Sequence, residues 1–146
     1  MKKFFYAIAV AMLLAVATPV LLFAGSPADG ANAYRTLPKP GERVTLDAGH
    51  YFTYGFDKRP KMGTCIMRVE IFTRDGKRDT SYTVIGDVDM PSMRGAHSTG
   101  GQKFSLSNKG VYLLPVNIAM PGDWEVRFTF TKSGKTVLKG IYLFDM

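Results

Sequence analysis

The sequence predicts an all-β fold: a single antiparallel β-sandwich of immunoglobulin-like type with about seven strands after an N-terminal signal segment. One observation is alternation, since every second residue from Cys65 to Ile71 is apolar and the charged Arg68 and Glu70 lie between them. Another is that turn signals such as Asp75-Gly76 recur at regular spacing. The third is that no window after residue 24 shows the 3.6-residue apolar period of an amphipathic helix.

The first 24 residues show the three-part pattern of a secretory signal peptide. A basic start at Lys2-Lys3 precedes an unbroken apolar run over 4–16, and Ala24 offers a small residue at a cleavage position. A second candidate cleavage site follows Ala31-Asn32-Ala33. The alternative is an uncleaved membrane anchor, because about 20 apolar residues are enough to cross a bilayer. The sequence therefore predicts export to the periplasm or cell envelope, with an N-terminal anchor if the signal is retained.

The rest of the chain is long enough for one domain with a substantial core and too short for two. Without Lys2 and Lys3 the basic count falls from 19 to 17 against 12 acidic residues, so the net charge is about +5. The basic residues are scattered along the chain, which argues against nucleic-acid binding. Cys65 is the only cysteine, so no internal disulfide can form and burial must hold the domain together.

The predicted elements follow in chain order. Residues 25–43 are rich in Gly, Ala, Pro and Asn and are predicted to be a flexible leader, with the sandwich domain over 44–146. An edge strand is expected at Val44–Leu46. The other strands are predicted at 51–56, 63–73, 80–90, 103–107, 111–120, 124–131 and 136–144.

Connections in an antiparallel sandwich alternate between its two ends, and this parity predicts which loops share an end. With 51–56 taken as running up, the connections 57–62, 91–101 and 121–123 all fall at the same end. That end collects sulfur, imidazole and basic groups: Met62, Met90, Met93, His97, Met120, Lys58, Arg59, Lys61 and Arg94. Binding residues tend to lie on loops held by a rigid scaffold, so this end is the candidate functional end and the opposite end is expected to be structural.

Met90, Met93, His97 and Met120 are the predicted metal ligands, because thioether sulfur and imidazole nitrogen suit Cu(I). The alternative for Met90 and Met120 is that they fill gaps at the end of the core, since their strand parity matches buried neighbours. The alternative for Met93 and His97 is that they are ordinary exposed loop residues.

Several other polar or unusual residues receive structural interpretations. His50 is expected to be a surface or turn histidine without a partner. Asp87 and Asp89 are expected to be solvated carboxylates on an outward strand face. Cys65 is predicted to be a small buried hydrophobe, and Trp124 to pack between the sheets.

Catalytic motifs are missing from the sequence. It contains no G-x-S-x-G elbow, no H-E-x-x-H or C-x-x-C motif, and no phosphate-binding glycine loop before a helix. The two histidines are far apart and no nucleophile–base pair is evident. The sequence therefore predicts a protein that is not an enzyme and has no evident small-molecule substrate.

Three short motifs carry a resemblance to a known family. They are Met90-Pro91-Ser92-Met93 with His97 following, Gly110-Val111-Tyr112, and Met120-Pro121-Gly122-Asp123-Trp124. The segment from about Lys61 to Phe144 that contains them resembles the YtkA-like domain family. The resemblance implies a small exported immunoglobulin-like domain, found alone or attached to membrane-associated partners. The family has no single established activity, and some relatives occur in copper-handling or oxidase-assembly settings.

The sequence and the resemblance together predict an exported, non-enzymatic binding or accessory domain. In the first hypothesis the Met/His loop end binds Cu(I) and passes it to a membrane protein. In the alternative, the domain is a metal-free protein-interaction sandwich of the cell envelope. The expected partner is a membrane-associated or envelope protein, and no nucleic acid.

Overall fold

The computed structural model describes residues 33–146, so the predicted signal peptide and the start of the leader lie outside the described residues. Ten β-strands and one short 3-10 helix, Pro91–Met93, form this part of the chain. The strands are β1 (Tyr34–Thr36), β2 (Val44–Asp47), β3 (His50–Phe56), β4 (Gly63–Thr73), β5 (Thr83–Asp89), β6 (Gln102–Lys103), β7 (Ser105–Leu106), β8 (Tyr112–Ile118), β9 (Asp123–Lys132) and β10 (Lys135–Asp145).

Two five-stranded sheets make up the fold, with strand orders β1-β10-β9-β5-β6 and β2-β3-β4-β8-β7. All pairs are antiparallel except β1 with β10. The predicted all-β sandwich is confirmed. The structure has more strands than predicted, partly because 103–107 divides in two: β6 pairs with β5 in one sheet and β7 with β8 in the other. Phe104, at this crossing point, is buried in the core.

The core lies between the inner faces of the two sheets. The rings of Phe52 on β3 and Phe130 on β9 meet across it at 4.4 Å between centroids. Trp124 is 1% exposed and Cys65 is 7% exposed, so both are buried as predicted. At Gly86 an added Cβ would lie 2.5 Å from a methyl of Leu114, which means that glycine is what lets the two layers approach here.

Residues 34–37 were predicted to belong to the flexible leader, and this prediction is wrong. β1 pairs in parallel with β10, and the Leu37 amide donates to the Ile141 carbonyl at 2.8 Å. The Leu37 side chain is buried against Gly140, where a Cβ would meet it at 2.7 Å. These pairings are long-range in sequence, and a strand of only three residues, Tyr34–Thr36, gives too short a pattern to reveal them.

Strand directions place three connections at one end of the sandwich, as the parity argument predicted. β3 and β8 run antiparallel to β4, and β5 and β10 run antiparallel to β9. The connections 57–62, 90–101 and 119–122 therefore lie together at one end, called the loop pole below. The chain ends there too, since Gly122 and Met146 exchange two backbone hydrogen bonds of 3.1 and 3.0 Å.

The part of the chain that the structure describes contains no helix with the length and apolar character to span a bilayer.

Candidate functional site

Two loops of the loop pole are joined by side-chain contacts. The Ser92 backbone N–H donates to Asp123 Oδ2 at 2.9 Å, and the Ser92 hydroxyl donates to the same carboxylate. Trp124 Nε1 donates to the Met120 carbonyl at 3.0 Å. The rings of His97 and Trp124 lie 5.8 Å apart between centroids. The loop carrying Met93 and His97 and the loop carrying Met120 therefore form one continuous surface.

The four predicted metal ligands differ in how accessible they are. Met93 is 44% exposed and Met120 is 36% exposed, while His97 is partly buried. Met90 is only 2% exposed, and its Cε would lie 2.9 Å from a Cβ added to Gly122. Met90 thus sits beneath the β8–β9 turn in the position that the gap-filling alternative describes, and three of the four predicted ligands reach the surface.

The Asp89 carboxylate organises the loop that carries Met93 and His97. It accepts backbone N–H bonds of 2.9 Å from Met90 and from Gly95. Burial opposes its charge, but these bonds and the nearby Arg94 guanidinium hold the pKa of Asp89 below its usual range. The prediction of a solvated carboxylate is wrong for Asp89, which is 2% exposed, because the loop folds back over the outer face of β5.

A second buried carboxylate, Glu125, lies directly across from Asp89 in the β5–β9 pair and is 2% exposed. Arg94 Nη1 binds Glu125 Oε1 at 2.7 Å, and the Arg127 guanidinium binds the same oxygen. Arg127 also approaches Asp87 at 3.9 Å. Two guanidiniums therefore neutralise a pair of buried like charges that would otherwise be very unfavourable. This cluster was missed in the sequence, because Glu125 alternates with apolar residues like any outward-facing strand residue.

The opposite end of the sandwich holds a histidine cluster, which corrects the prediction of an unpaired surface or turn histidine. His50 Nδ1 lies 2.8 Å from Asp47 Oδ1, and His50 Nε2 lies 2.9 Å from Asp79 Oδ2. The Tyr82 hydroxyl donates to the other oxygen of Asp47. Both ring nitrogens of His50 therefore face carboxylate oxygens, which fixes the orientation of the imidazole. The available sequence signal was an aspartate three residues before His50.

The histidine cluster leads to a prediction about stability in acid. Burial opposes the charge of Asp47, but the hydrogen bonds from Tyr82 and His50 lower its pKa from 3.8 to about 2. A group whose pKa is lowered by folding adds stability above its unfolded pKa and loses it as the pH falls through its folded pKa. We expect Asp47→Asn to be less stable than wild type at pH 6, and the difference to shrink between about pH 4 and pH 2.

Urea unfolding at a series of pH values measures this difference. Asp57→Asn, which removes an exposed carboxylate from the β3–β4 connection, is the matched control. A gap between Asp47→Asn and wild type that stays constant over the acid range would contradict the prediction.

Conventional metal sites are built from His, Cys, Asp and Glu side chains. Within residues 33–146, no three side chains of the His, Cys, Asp and Glu types converge on a common metal position. A metal site at the loop pole would draw on the thioether sulfurs of Met93 and Met120 together with the His97 imidazole, a donor set that suits Cu(I).

Comparison with known proteins finds no matching family model, no matching curated protein and no matching solved structure.

Proposed function

We propose that this protein is an exported, non-enzymatic binding domain whose loop pole takes up Cu(I) and passes it to a membrane protein. The observation that carries the proposal is the pair of exposed thioethers, Met93 and Met120, on two loops joined through Ser92 and Asp123. His97 lies on the same loop as Met93, with its ring against that of Trp124. Exposed methionine is unusual, because this side chain ordinarily fills gaps in a core.

The ligand chemistry supports the proposal. Thioether and imidazole are uncharged soft or borderline donors, and a monovalent soft cation needs no carboxylate to neutralise it. Arg94, which follows Met93 in the loop, is already paired with Glu125, so its charge is compensated. The proposed ligands are Met93, Met120 and His97. Met90 is not included, because its side chain is almost fully buried and packs in the core. Ligands at the surface also suit a carrier, since a partner can approach the metal directly.

The Asp89 carboxylate supports this site from behind. Because it accepts N–H groups from Met90 and Gly95, it fixes the backbone on both sides of Met93. Metal-binding side chains that are already held in place lose less conformational entropy when the metal binds.

Competition with a chromophoric Cu(I) chelator tests the proposal. Cu(I) affinity should fall by at least about tenfold in each of three single variants: Met93→Leu, Met120→Leu and His97→Phe. The matched control is Met62→Leu, which removes another exposed methionine, 50% exposed, from the loop preceding β4. Equal Cu(I) affinity in the wild type and all four variants would remove the site as proposed.

The second candidate function is metal-free protein binding by the same surface. Three exposed methionines at one pole, Met62, Met93 and Met120, favour it, because flexible thioether side chains are common at adaptable binding surfaces. A folded wild-type protein that takes up no Cu(I) in the competition experiment would favour this function over the first.

A further inference from the structure

The positive charge of the domain is concentrated on one face. This face has ten Lys or Arg residues and only four Asp or Glu residues. It consists of the outer side of the β2-β3-β4-β8-β7 sheet, the crossover 37–43, the connection 57–62 and the turns 74–78 and 107–110. The remaining charged residues of 33–146 are seven basic and seven acidic, so they cancel. This surface, called the basic face below, is separate from the ligands proposed for Cu(I).

An aromatic and guanidinium stack crosses the basic face. Tyr51 and Phe72 pair across β3 and β4 with stacked rings 5.2 Å apart. The Arg43 guanidinium lies over Tyr51 at 4.8 Å, and the Arg78 guanidinium over Phe72 at 5.4 Å. Stacking holds a guanidinium in place without using its N–H donors. Among residues 33–146, the exposed Arg43 forms no ion pair, so no carboxylate of the described chain uses its donors.

A groove of about 540 Å³ continues the same face toward the loop pole. Thr53 and Gly55 form part of its floor, and Lys58, Arg59 and Arg68 contribute cations to its sides. Arg68 is paired with Glu70, whereas Lys58 and Arg59 form no ion pair in the described part of the chain. The groove is open, and Gly55 leaves room that a larger side chain would fill.

We propose that the basic face and its groove dock an extended acidic segment of a partner protein. Carboxylates of the segment pair with the guanidinium forks of Arg43 and Arg59. A glycan or a nucleic acid would need a free aromatic face on which to stack, but these rings are covered by each other and by guanidiniums. This proposal does not rest on copper binding.

A capped poly-glutamate peptide of about 12 residues, roughly 40 Å when extended, is the probe. Its affinity for the full chain is measured by fluorescence anisotropy at low salt, and its position by amide chemical-shift changes. We expect shifts on β3 and β4, and an affinity about tenfold lower for the double variant Arg43→Glu/Arg59→Glu. Thr53→Trp should also weaken binding, because it fills the groove without changing the charge.

The matched control is Lys103→Glu/Lys135→Glu, which makes the same charge change with exposed lysines of the other sheet. Thermal unfolding of every variant checks that the fold is intact. If the control loses as much affinity as Arg43→Glu/Arg59→Glu, the peptide senses only net charge and the proposal fails. It is also overturned if phosphatidylglycerol vesicles bind through Arg43 and Arg59 while the peptide does not.

Discussion

Replacing Trp124 with alanine is expected to lower the free energy of unfolding by about 3–5 kcal/mol. The indole is 1% exposed at the point where the core meets the loop pole. Its removal leaves a cavity, frees the Met120 carbonyl that Nε1 now binds, and takes away the ring against which His97 packs. Urea unfolding followed by far-ultraviolet circular dichroism measures the loss.

Trp124→Phe separates the hydrogen bond from the packing. It keeps a large apolar ring but cannot donate to the Met120 carbonyl, so we expect a smaller loss of about 1–2 kcal/mol. In this variant the amide signals of the β8–β9 turn should shift more than those of the sheet. Equal losses for the alanine and phenylalanine variants would mean that the hydrogen bond, and not the filled volume, dominates the stability at this position.

Arg127→Met is expected to cost about 3 kcal/mol, because it removes one of the two cations that neutralise Glu125. Glu125 is almost fully buried and lies across from the buried Asp89, so water cannot replace the missing guanidinium. The matched control is Arg68→Met, which breaks a pair of 2.7 Å with Glu70 in which the arginine is 42% exposed. That loss should stay within about 1 kcal/mol, since exposed ion pairs contribute little.

A double-mutant cycle makes the interpretation specific. If a stranded charge is the cause, Glu125→Gln in the Arg127→Met background should restore part of the stability. Independent, additive losses from Glu125→Gln and Arg127→Met would contradict the proposed coupling between these side chains.

The sheets and the shared loop pole could be predicted because both follow from local patterns. Alternation assigns a face to each residue from Cys65 to Ile71, and antiparallel parity then fixes the end at which each connection lies. The exposed positions of Met93 and Met120 also agree with loop or strand-end placement, although the pattern alone could not separate Met120 from the buried Met90.

The features that escaped prediction depend on contacts between distant parts of the chain. Strand β1 is defined by its partner β10, and the division at Phe104 depends on which sheet each neighbouring residue joins. Asp89 and Glu125 alternate as exposed strand residues do, and only the loop that folds over them makes them buried. His50 meets Asp79 from a segment almost thirty residues away.

The parallel pairing of β1 with β10 fixes the direction in which the described chain enters the sandwich. Tyr34 lies opposite Lys139 and Thr36 opposite Ile141, so the chain enters from the direction of the β9–β10 turn and travels toward the sulfur-bearing end. Residue 33 therefore precedes β1 on the side away from the loop pole, and the described part of the N-terminal segment leaves Met93 and Met120 exposed.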